Sequence, residues 1–225
     1  MVRKKTTSRN AGRCLIAALL LLPGLSQATA FKVGKVTQAE GKITFLNFTR
    51  PYKAKKVKPQ QSLMTEGSYL TQENSFLTVE LFEGSWLRLS SRTKISVDYD
   101  PTAKIININL LTGSIKVLFS SSLNDKQVDK IIIKSIDAVF ESSDGKFSVV
   151  RNPVLDLSSV FVEKGTVVAA HSGNRLSRDV RLVHTKETTS LKDRETEFEE
   201  TRQMTEKEIK FLHPSFYLKH TSSSL

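Results

Sequence analysis

The chain has 225 residues, of which 34 are Lys or Arg, 23 are Asp or Glu and one is Cys. This length favours one domain, or one domain with an appendage. A single cysteine excludes an internal disulfide. The basic residues are scattered and form no dense block with interleaved aromatics, which argues against a nucleic-acid partner.

The first thirty residues have the pattern of a secretory signal peptide. A basic segment (3–13) precedes an apolar run (14–22), and Ala-Thr-Ala at 28–30 is a small-residue cleavage site. We predict cleavage between Ala30 and Phe31, and therefore location in the periplasm of a Gram-negative type bacterium. The alternative is a retained anchor, although the apolar run is far shorter than the roughly 20 residues that span a bilayer. Cleavage removes the cysteine and lowers the net charge from +11 to +6, because five basic residues and no acids are lost.

Residues 31–171 alternate short apolar and polar runs between glycines. β-Branched residues at period two, as in Ile106-Asn107-Ile108, predict half-buried strands. Six times a polar residue precedes a glycine, which adopts the positive φ of a tight turn at low cost. These pairs are Glu40-Gly41, Glu66-Gly67, Glu83-Gly84, Thr112-Gly113, Asp144-Gly145 and Lys164-Gly165. We therefore predict an all-β domain over 31–171, an antiparallel hairpin-rich sandwich or roll, with a β-solenoid as the alternative.

The composition changes after residue 171. Residues 172–189 are turn-rich and are predicted to form a joint, and residues 190–225 are predicted to be a charged helical tail. Ser190 followed by Asp193 resembles a helix N-cap with its acidic partner, and Pro214 ends the helix-prone stretch. A mostly polar helix of this kind is either a solvated appendage or a partner-binding element.

Five aromatic residues are candidate partner-binding side chains. Trp86 follows a turn glycine, and strand alternation places it opposite Leu87 and Leu89, on the outer face. The alternative is that a second small core or the helix covers it. The other candidates lie on or after the predicted helix: Phe198, Phe211, Phe216 and Tyr217.

No residue pattern predicts catalysis, a metal site or a cofactor. Ser91 and Lys94 have the Ser-x-x-Lys spacing of penicillin-recognising enzymes, but that chemistry needs the serine at the start of a helix, and this pair lies between strands. The four histidines are too far apart for a helix-borne metal pair. The glycines occur singly and form no phosphate-binding loop. We therefore predict a protein that is not an enzyme.

Several phrases between about Gly34 and Ala170 resemble, in the same order, those of the FecR domain. After a first hairpin, the matching segments are Glu66 to Thr71, Leu77 to Ser90, Leu110 to Val117 and Val160 to Val167. One departure is Gly145-Lys146-Phe147, which stands where the family usually has a Gly-Thr-x-Phe phrase. The resemblance implies a periplasmic β-domain that contacts other proteins.

Regulators of that family also carry a cytoplasmic N-terminal region that controls a sigma factor. The thirteen residues before the apolar run are too short to be that region, so we do not extend sigma-factor regulation to this chain. We predict an adaptor or regulator of an envelope, transport or signalling system, whose partner is another envelope protein. The alternative is a structural module attached to the cell wall or to a surface assembly. Neither nucleic acid nor a stable membrane span after cleavage is expected.

Overall fold

A computed structural model describes residues 32–48, 51–82, 84–120, 128–172, 179–192 and 197–212, with side chains described up to residue 209. These residues form sixteen strands and one short helix, and the prediction of an all-β fold is confirmed. No helix within these ranges is long and apolar enough to cross a membrane. The predicted signal peptide and cleavage site lie outside the described residues.

The first eight strands are β1 (Lys32–Glu40), β2 (Ile43–Asn47), β3 (Ala54–Lys56), β4 (Ser62–Met64), β5 (Gly67–Thr71), β6 (Phe76–Glu80), β7 (Trp86–Leu89) and β8 (Lys94–Asp100). The next eight are β9 (Ile105–Phe119), β10 (Lys130–Lys134), β11 (Ala138–Ser142), β12 (Gly145–Asn152), β13 (Leu157–His171), β14 (Val180–His184), β15 (Glu187–Lys192) and β16 (Arg202–Gln203). The helix, α1, is Glu206–Leu212.

The strands form two sheets that share β9 and β13. Sheet A has the order β4-β1-β6-β7-β9-β12-β13-β15-β16. Sheet B has the order β3-β2-β5-β8-β9-β10-β11-β13-β14. Neighbouring strands are antiparallel except β9 and β10, which run parallel, so the prediction of a purely antiparallel fold needs this correction.

Each of the two shared strands changes sheet at a glycine. In β9, residues up to Thr112 pair with β8 or β10, whereas residues from Gly113 onward pair with β7 and β12. In β13 the same change occurs at Gly165. The φ angles of these glycines are 91° and 90°, values that glycine adopts without steric cost. The turns predicted at Thr112-Gly113 and Lys164-Gly165 are therefore wrong, because these glycines bend a strand and do not end it.

The other glycine turns include only one hairpin between paired strands. Gly84 connects β6 to β7, which pair with each other. Gly41, Gly67 and Gly145 instead lie at connections between the two sheets, from β1 to β2, from β4 to β5 and from β11 to β12. The chain thus repeatedly crosses from one sheet to the other, a connectivity that a row of simple hairpins does not have.

Sharing two strands closes part of the fold into a small barrel. β9 pairs with β12, β12 with β13, β13 with β11, β11 with β10, and β10 with β9. Buried apolar side chains from both sheets form one continuous cluster that fills the barrel and extends beyond it. Fully buried members include Ile106, Ile115, Phe140, Phe147 and Val160. A chain without disulfides can be stabilised by packing of this kind, at about 25 cal/mol for each Å² of apolar surface buried.

The prediction of a long C-terminal helix is wrong for the described residues before Glu206, and residues 213–225 of the predicted tail lie outside the described ranges. Ser190, the predicted N-cap, lies in β15, and its Oγ is 2.8 Å from Oγ of Ser159 in β13. Leu191 is 1% exposed in the core. Pairing with β13 and burial of Leu191 outweigh local helix propensity, which is a weak determinant of structure. Strand β14 likewise lies within the stretch predicted to be a joint.

Helix α1 begins with a capping box that is joined to β16. Oγ1 of Thr205 accepts a hydrogen bond from the N–H of Glu208, and the carboxylate of Glu208 accepts one from the N–H of Thr205. Arg202 in β16 donates two hydrogen bonds to the same carboxylate, at 2.9 and 2.6 Å. Mainly because of Arg202, and against partial desolvation, the pKa of Glu208 is lowered to about 2.

We expect acid to loosen α1 while the barrel stays folded. An acid whose pKa is lowered by folding contributes stability above its ordinary pKa of 4.5, and this contribution is lost as the pH falls toward about 2. Amide exchange in α1, corrected for intrinsic rates, should be faster at pH 3 than at pH 6. At pH 6, Glu208→Gln should reproduce the fast exchange, whereas the exposed control Glu200→Gln should not. Full protection of α1 in Glu208→Gln would contradict this expectation.

Candidate protein-binding edge

Strand β14 is an edge of sheet B. Within the described ranges it pairs with β13 alone, through Thr166 to Ala170. The N–H of His184 is bonded to the carboxylate of Glu187, at 2.8 Å, and is directed away from β13. Since alternate residues of a strand direct their N–H and C=O groups to the same side, Val180 and Leu182 present theirs at the outer edge. An edge of this kind can accept another strand.

Part of the outer face of sheet B beside this edge is apolar, and it is bounded by Glu141, which lies opposite Val168. Val180 and Leu182 are each 55% exposed, and they lie opposite Ala170 and Val168 of β13. The next strand inward, β11, adds Val139 opposite Ala170, and the turn before it carries Ile136, which is 60% exposed. We name this surface the edge patch; its members are Ile136, Val139, Val168, Ala170, Val180 and Leu182. A contiguous apolar surface beside an open edge is typical of an interaction site.

Natural sheets commonly protect an open edge with lysine, proline or a bulge. β14 contains neither lysine nor proline, and its register with β13 is regular over all five pairs. Its one long cation, Arg181, is held in an ion pair with Asp179, 2.9 Å away. The described part of β14 therefore lacks the usual protection against strand addition.

The structure does not bring the predicted partner-binding residues together. Trp86 is half-buried on the outer face of sheet A, between Glu80 of β6 and Leu118 of β9. Its strand, β7, is separated from β13 in sheet A by β9 and β12, and β14 pairs with β13 in sheet B. A role for Trp86 in binding a partner stays a prediction, on a different surface from the edge patch.

Phe198 is part of the core. Its side chain is 4% exposed, and its ring lies edge-on to Phe140 with 6.4 Å between centroids. The N–H of Phe198 bonds to Asp179, just before β14, and the next residue, Glu199, bonds to Ser190 of β15. The segment thus fills the gap where β14 and β15 diverge into different sheets, and its buried ring is not accessible to a partner in this structure.

The remaining candidates give no site. The side chain of Phe211 is not among those described, and Phe216 and Tyr217 lie outside the described residues. Ser91 donates to the carbonyl of Gln72 at 3.2 Å and accepts from the N–H of Asn74 at 3.0 Å, so neither hydrogen bond is with a general base. Among the residues described, no three His, Cys, Asp or Glu side chains are grouped so that they could hold a metal ion.

A cluster of charged residues lies on the outer face of sheet A. A bulge in β13, where the register shifts between Lys146 and Phe147 of β12, leaves Glu163 as the extra residue. The Glu163 carboxylate contacts Nζ of Lys116 and lies 2.8 Å from Nζ of Lys146. Burial lowers the pKa of Lys116, and the carboxylate opposes that effect. Burial raises the pKa of Glu163, but hydrogen bonds and attraction from the two lysines outweigh it and lower that pKa.

Comparison with known proteins assigns the central part of this fold. The family model described as FecR protein matches residues 67–168, from β5 to the second half of β13. Residues 67–168 are a FecR domain. The predicted resemblance is therefore confirmed for this range. β14 follows the FecR domain in sequence and extends its sheet B.

Solved structures agree with this fold. A crystal structure at 1.65 Å of a candidate anti-sigma factor from Parabacteroides distasonis ATCC 8503 matches with a TM-score of 0.51 and 14% identity, over 65% of each chain. A second structure described in the same words, at 2.50 Å, matches with a TM-score of 0.50 and 15% identity, over 64% of this chain and 62% of that one. Each match spans less than two thirds of the solved chain, and identities this low establish similarity of fold alone. No curated protein matches the chain.

The sequence reasoning missed the edge patch. Val180 and Leu182 fall in the stretch predicted to be a joint, although Val180-Arg181-Leu182 has the period-two alternation of a strand. That signal is only five residues long, and it stands next to turn-forming residues. Whether such a strand is central or at an edge depends on its partners, which the local sequence does not specify.

Proposed function

We propose that this chain is a non-enzymatic protein-binding module of the periplasm, an adaptor or regulator in an envelope, transport or signalling system. It binds an extended segment of another envelope protein along β14. The observation that carries this proposal is the open edge of β14 with Val180 and Leu182 exposed beside it. The signal-peptide pattern and the FecR domain support an envelope location and a role in protein contacts.

Strand addition fits the chemistry of this edge. The N–H and C=O groups at Val180 and Leu182 would pair with the backbone of the incoming strand, which provides affinity for any extended segment. Side chains of that strand alternate, so every second one would lie over the edge patch. We therefore expect the partner segment to carry apolar residues at alternate positions, with Val, Ile, Leu or Phe preferred.

In-cell crosslinking tests the surface. A photo-crosslinking residue at position 182 should give one dominant adduct with an envelope protein, whereas the same residue at Val154, which is 89% exposed in the β12–β13 turn, should not. Leu182→Lys should weaken binding of the purified partner by about tenfold or more, as expected when an apolar contact is lost and the edge gains a charge. The control Val154→Lys should leave it unchanged.

Hydrogen exchange tests the mode of binding. On adding the partner, the amides of Val180 and Leu182 should become protected, because their N–H groups enter a new ladder. Those of Arg181 and Val183 already face β13 and should change little. Adducts of equal strength from positions 182 and 154, or a complex that leaves the outer amides exchanging freely, would refute strand addition at β14.

A further inference from the structure

A groove of about 660 Å³, whose accessible lining is more apolar than polar, lies on the outer face of sheet A. Its position follows from alternation, because Phe76, Ser90, Ser114 and Val150 of its wall flank core residues of β6, β7, β9 and β12. Six of its lining residues carry hydroxyl groups: Ser75, Ser90, Ser91, Thr112, Ser114 and Ser148. The volume lies within the range of roughly 300–1,000 Å³ that is usual for small-molecule sites.

Two of these hydroxyls are incompletely bonded. Oγ of Ser148 is buried and has no hydrogen-bond partner among the described residues, and the residue is 0% exposed. Ser114 donates to Oγ of Ser90 at 2.8 Å, and within the described part of the chain no group accepts the proton of Ser90. A buried hydroxyl without a partner is uncommon in folded proteins. Ser148 is enclosed, so of these two hydroxyls only that of the half-buried Ser90 is accessible to a molecule in the groove.

Two cationic side chains line the groove. They are Arg92 and Arg151, and no Asp or Glu is among the described residues that line it. Arg92 is paired with Glu73 at 2.6 Å, but the two side chains are 72% and 67% exposed. Exposed pairs of this kind contribute at most about 1 kcal/mol, so a ligand carboxylate can replace Glu73 at little cost. The buried Arg151 donates to the carbonyl of Asn152 at 2.9 Å and is paired with Asp156, whose carboxylate lies 3.5 Å from its guanidinium, so Arg92 is the cation that a ligand can reach.

We infer that this groove binds a glycan that carries a carboxylate. Sugar rings present apolar C–H faces, which Phe76 and Val150 can contact, and hydroxyls, which the serine side chains can bond. Arg92 receives the carboxylate, since a guanidinium binds a carboxylate with two parallel hydrogen bonds. This site is on a different sheet from the edge patch and does not depend on the proposed protein-binding function. Two kinds of glycan carry such a carboxylate: a uronate polysaccharide and a muramic acid glycan of the cell wall.

Titration calorimetry with the full mature chain tests the inference. The probes are a galacturonate trimer, a peptide-free disaccharide that contains N-acetylmuramic acid, a neutral chitin trimer and a hexaglutamate peptide. We expect saturable binding of at least one carboxylated glycan, at least about tenfold tighter than that of the chitin trimer and weakened by salt. Binding of one carboxylated glycan and not the other identifies the source.

Two variants with the same charge change locate the site. Arg92→Glu should weaken glycan binding by about tenfold or more, whereas Lys104→Glu should leave it within about twofold of wild type, which is near the error of such measurements. Both positions are exposed and both have a φ of 54°, so the backbone cost of the two changes is matched. Ser114→Ala, which removes one hydroxyl and its hydrogen bond to Ser90, should weaken binding while lowering the melting temperature by no more than a few degrees. No saturable glycan binding, equal binding of the chitin trimer or hexaglutamate, or an unaffected Arg92→Glu would overturn the inference.

Discussion

Gly113→Ala is expected to lower the free energy of unfolding by at least about 3 kcal/mol. A Cβ atom at this position would lie 2.3 Å from Oγ1 and 2.5 Å from Cα of Thr93. Cα of Thr93 is backbone and cannot rotate away, and Thr93 is itself buried, with its Oγ1 bonded to the N–H and C=O of Ser114. The alanine would also hold a φ of +91°, which is costly for any residue with a Cβ.

Gly84→Ala separates the cost of a positive φ from the cost of the steric clash. Gly84 also has a positive φ, 74°, but a Cβ there would meet nothing within 4 Å. We expect this control to lose about 1 kcal/mol, the backbone cost alone. Urea unfolding of both variants and the wild type, with equal m-values, measures the difference. If Gly113→Ala were no less stable than Gly84→Ala, strand β9 would not need a glycine where it passes from sheet B to sheet A.

The second large effect is expected for Glu163→Gln. The Lys116 side chain is only 5% exposed, and Glu163 is its carboxylate partner. Glu163→Gln takes the negative charge away from a buried lysine, and we expect a loss of about 3 kcal/mol at pH 7. The control is Glu141→Gln, which breaks a pair with Lys130 whose side chains are 39% and 35% exposed. That change should cost less than about 1 kcal/mol.

The stability that Glu163→Gln loses relative to wild type should decrease as the pH rises. Burial lowers the pKa of Lys116, and loss of Glu163 should lower it further. A lysine whose pKa is lower in the folded protein binds fewer protons there than in the unfolded chain, so stability rises with pH. The deficit of the variant relative to wild type should therefore narrow between pH 7 and about pH 10, where lysine titrates. A deficit that stays constant over this range would show that Lys116 remains hydrated.

A double variant tests whether the buried charge is the cause. Lys116→Met combined with Glu163→Gln removes the cation together with its partner, and apolar replacements of buried ion pairs are often neutral. We expect the double variant to regain most of the stability that Glu163→Gln loses, as measured by urea unfolding. If the double variant were as unstable as the single one, the loss would arise from the bulge in β13 and not from Lys116.

The sequence predicted the all-β class and the FecR domain because both depend on local signals that survive in the fold. Period-two alternation, as in Ile106-Asn107-Ile108, became half-buried strand, and the four matched segments, apart from their first residue Glu66, fall within residues 67–168. The outer position of Trp86 is likewise consistent with alternation. Each of these features is set within a few residues of the chain, so neighbours in sequence suffice to specify it.

Other features depended on pairing between distant residues. A glycine with positive φ looks the same in the sequence whether it forms a tight turn or bends a strand. The strands that pair with β9 and β13 determine that Gly113 and Gly165 bend their strands and do not end them. The helix-prone residues around Leu191 became a strand because the edge of β13 was available to pair with them. Helix propensities differ by about a few tenths of a kcal/mol per residue, so the backbone hydrogen bonds of a strand pair and the burial of a side chain outweigh them.

By itself, the sequence determined the strand-forming segments, the family of residues 67–168 and the absence of an internal disulfide, since these follow from residue type and short-range pattern. Only the tertiary structure decided that two strands serve two sheets, that β14 is left with an open edge and that Arg92 and Ser148 line one groove. The physical reason is that sheet pairing joins residues far apart in the chain. Which strand lies at an edge is therefore a property of the assembled fold.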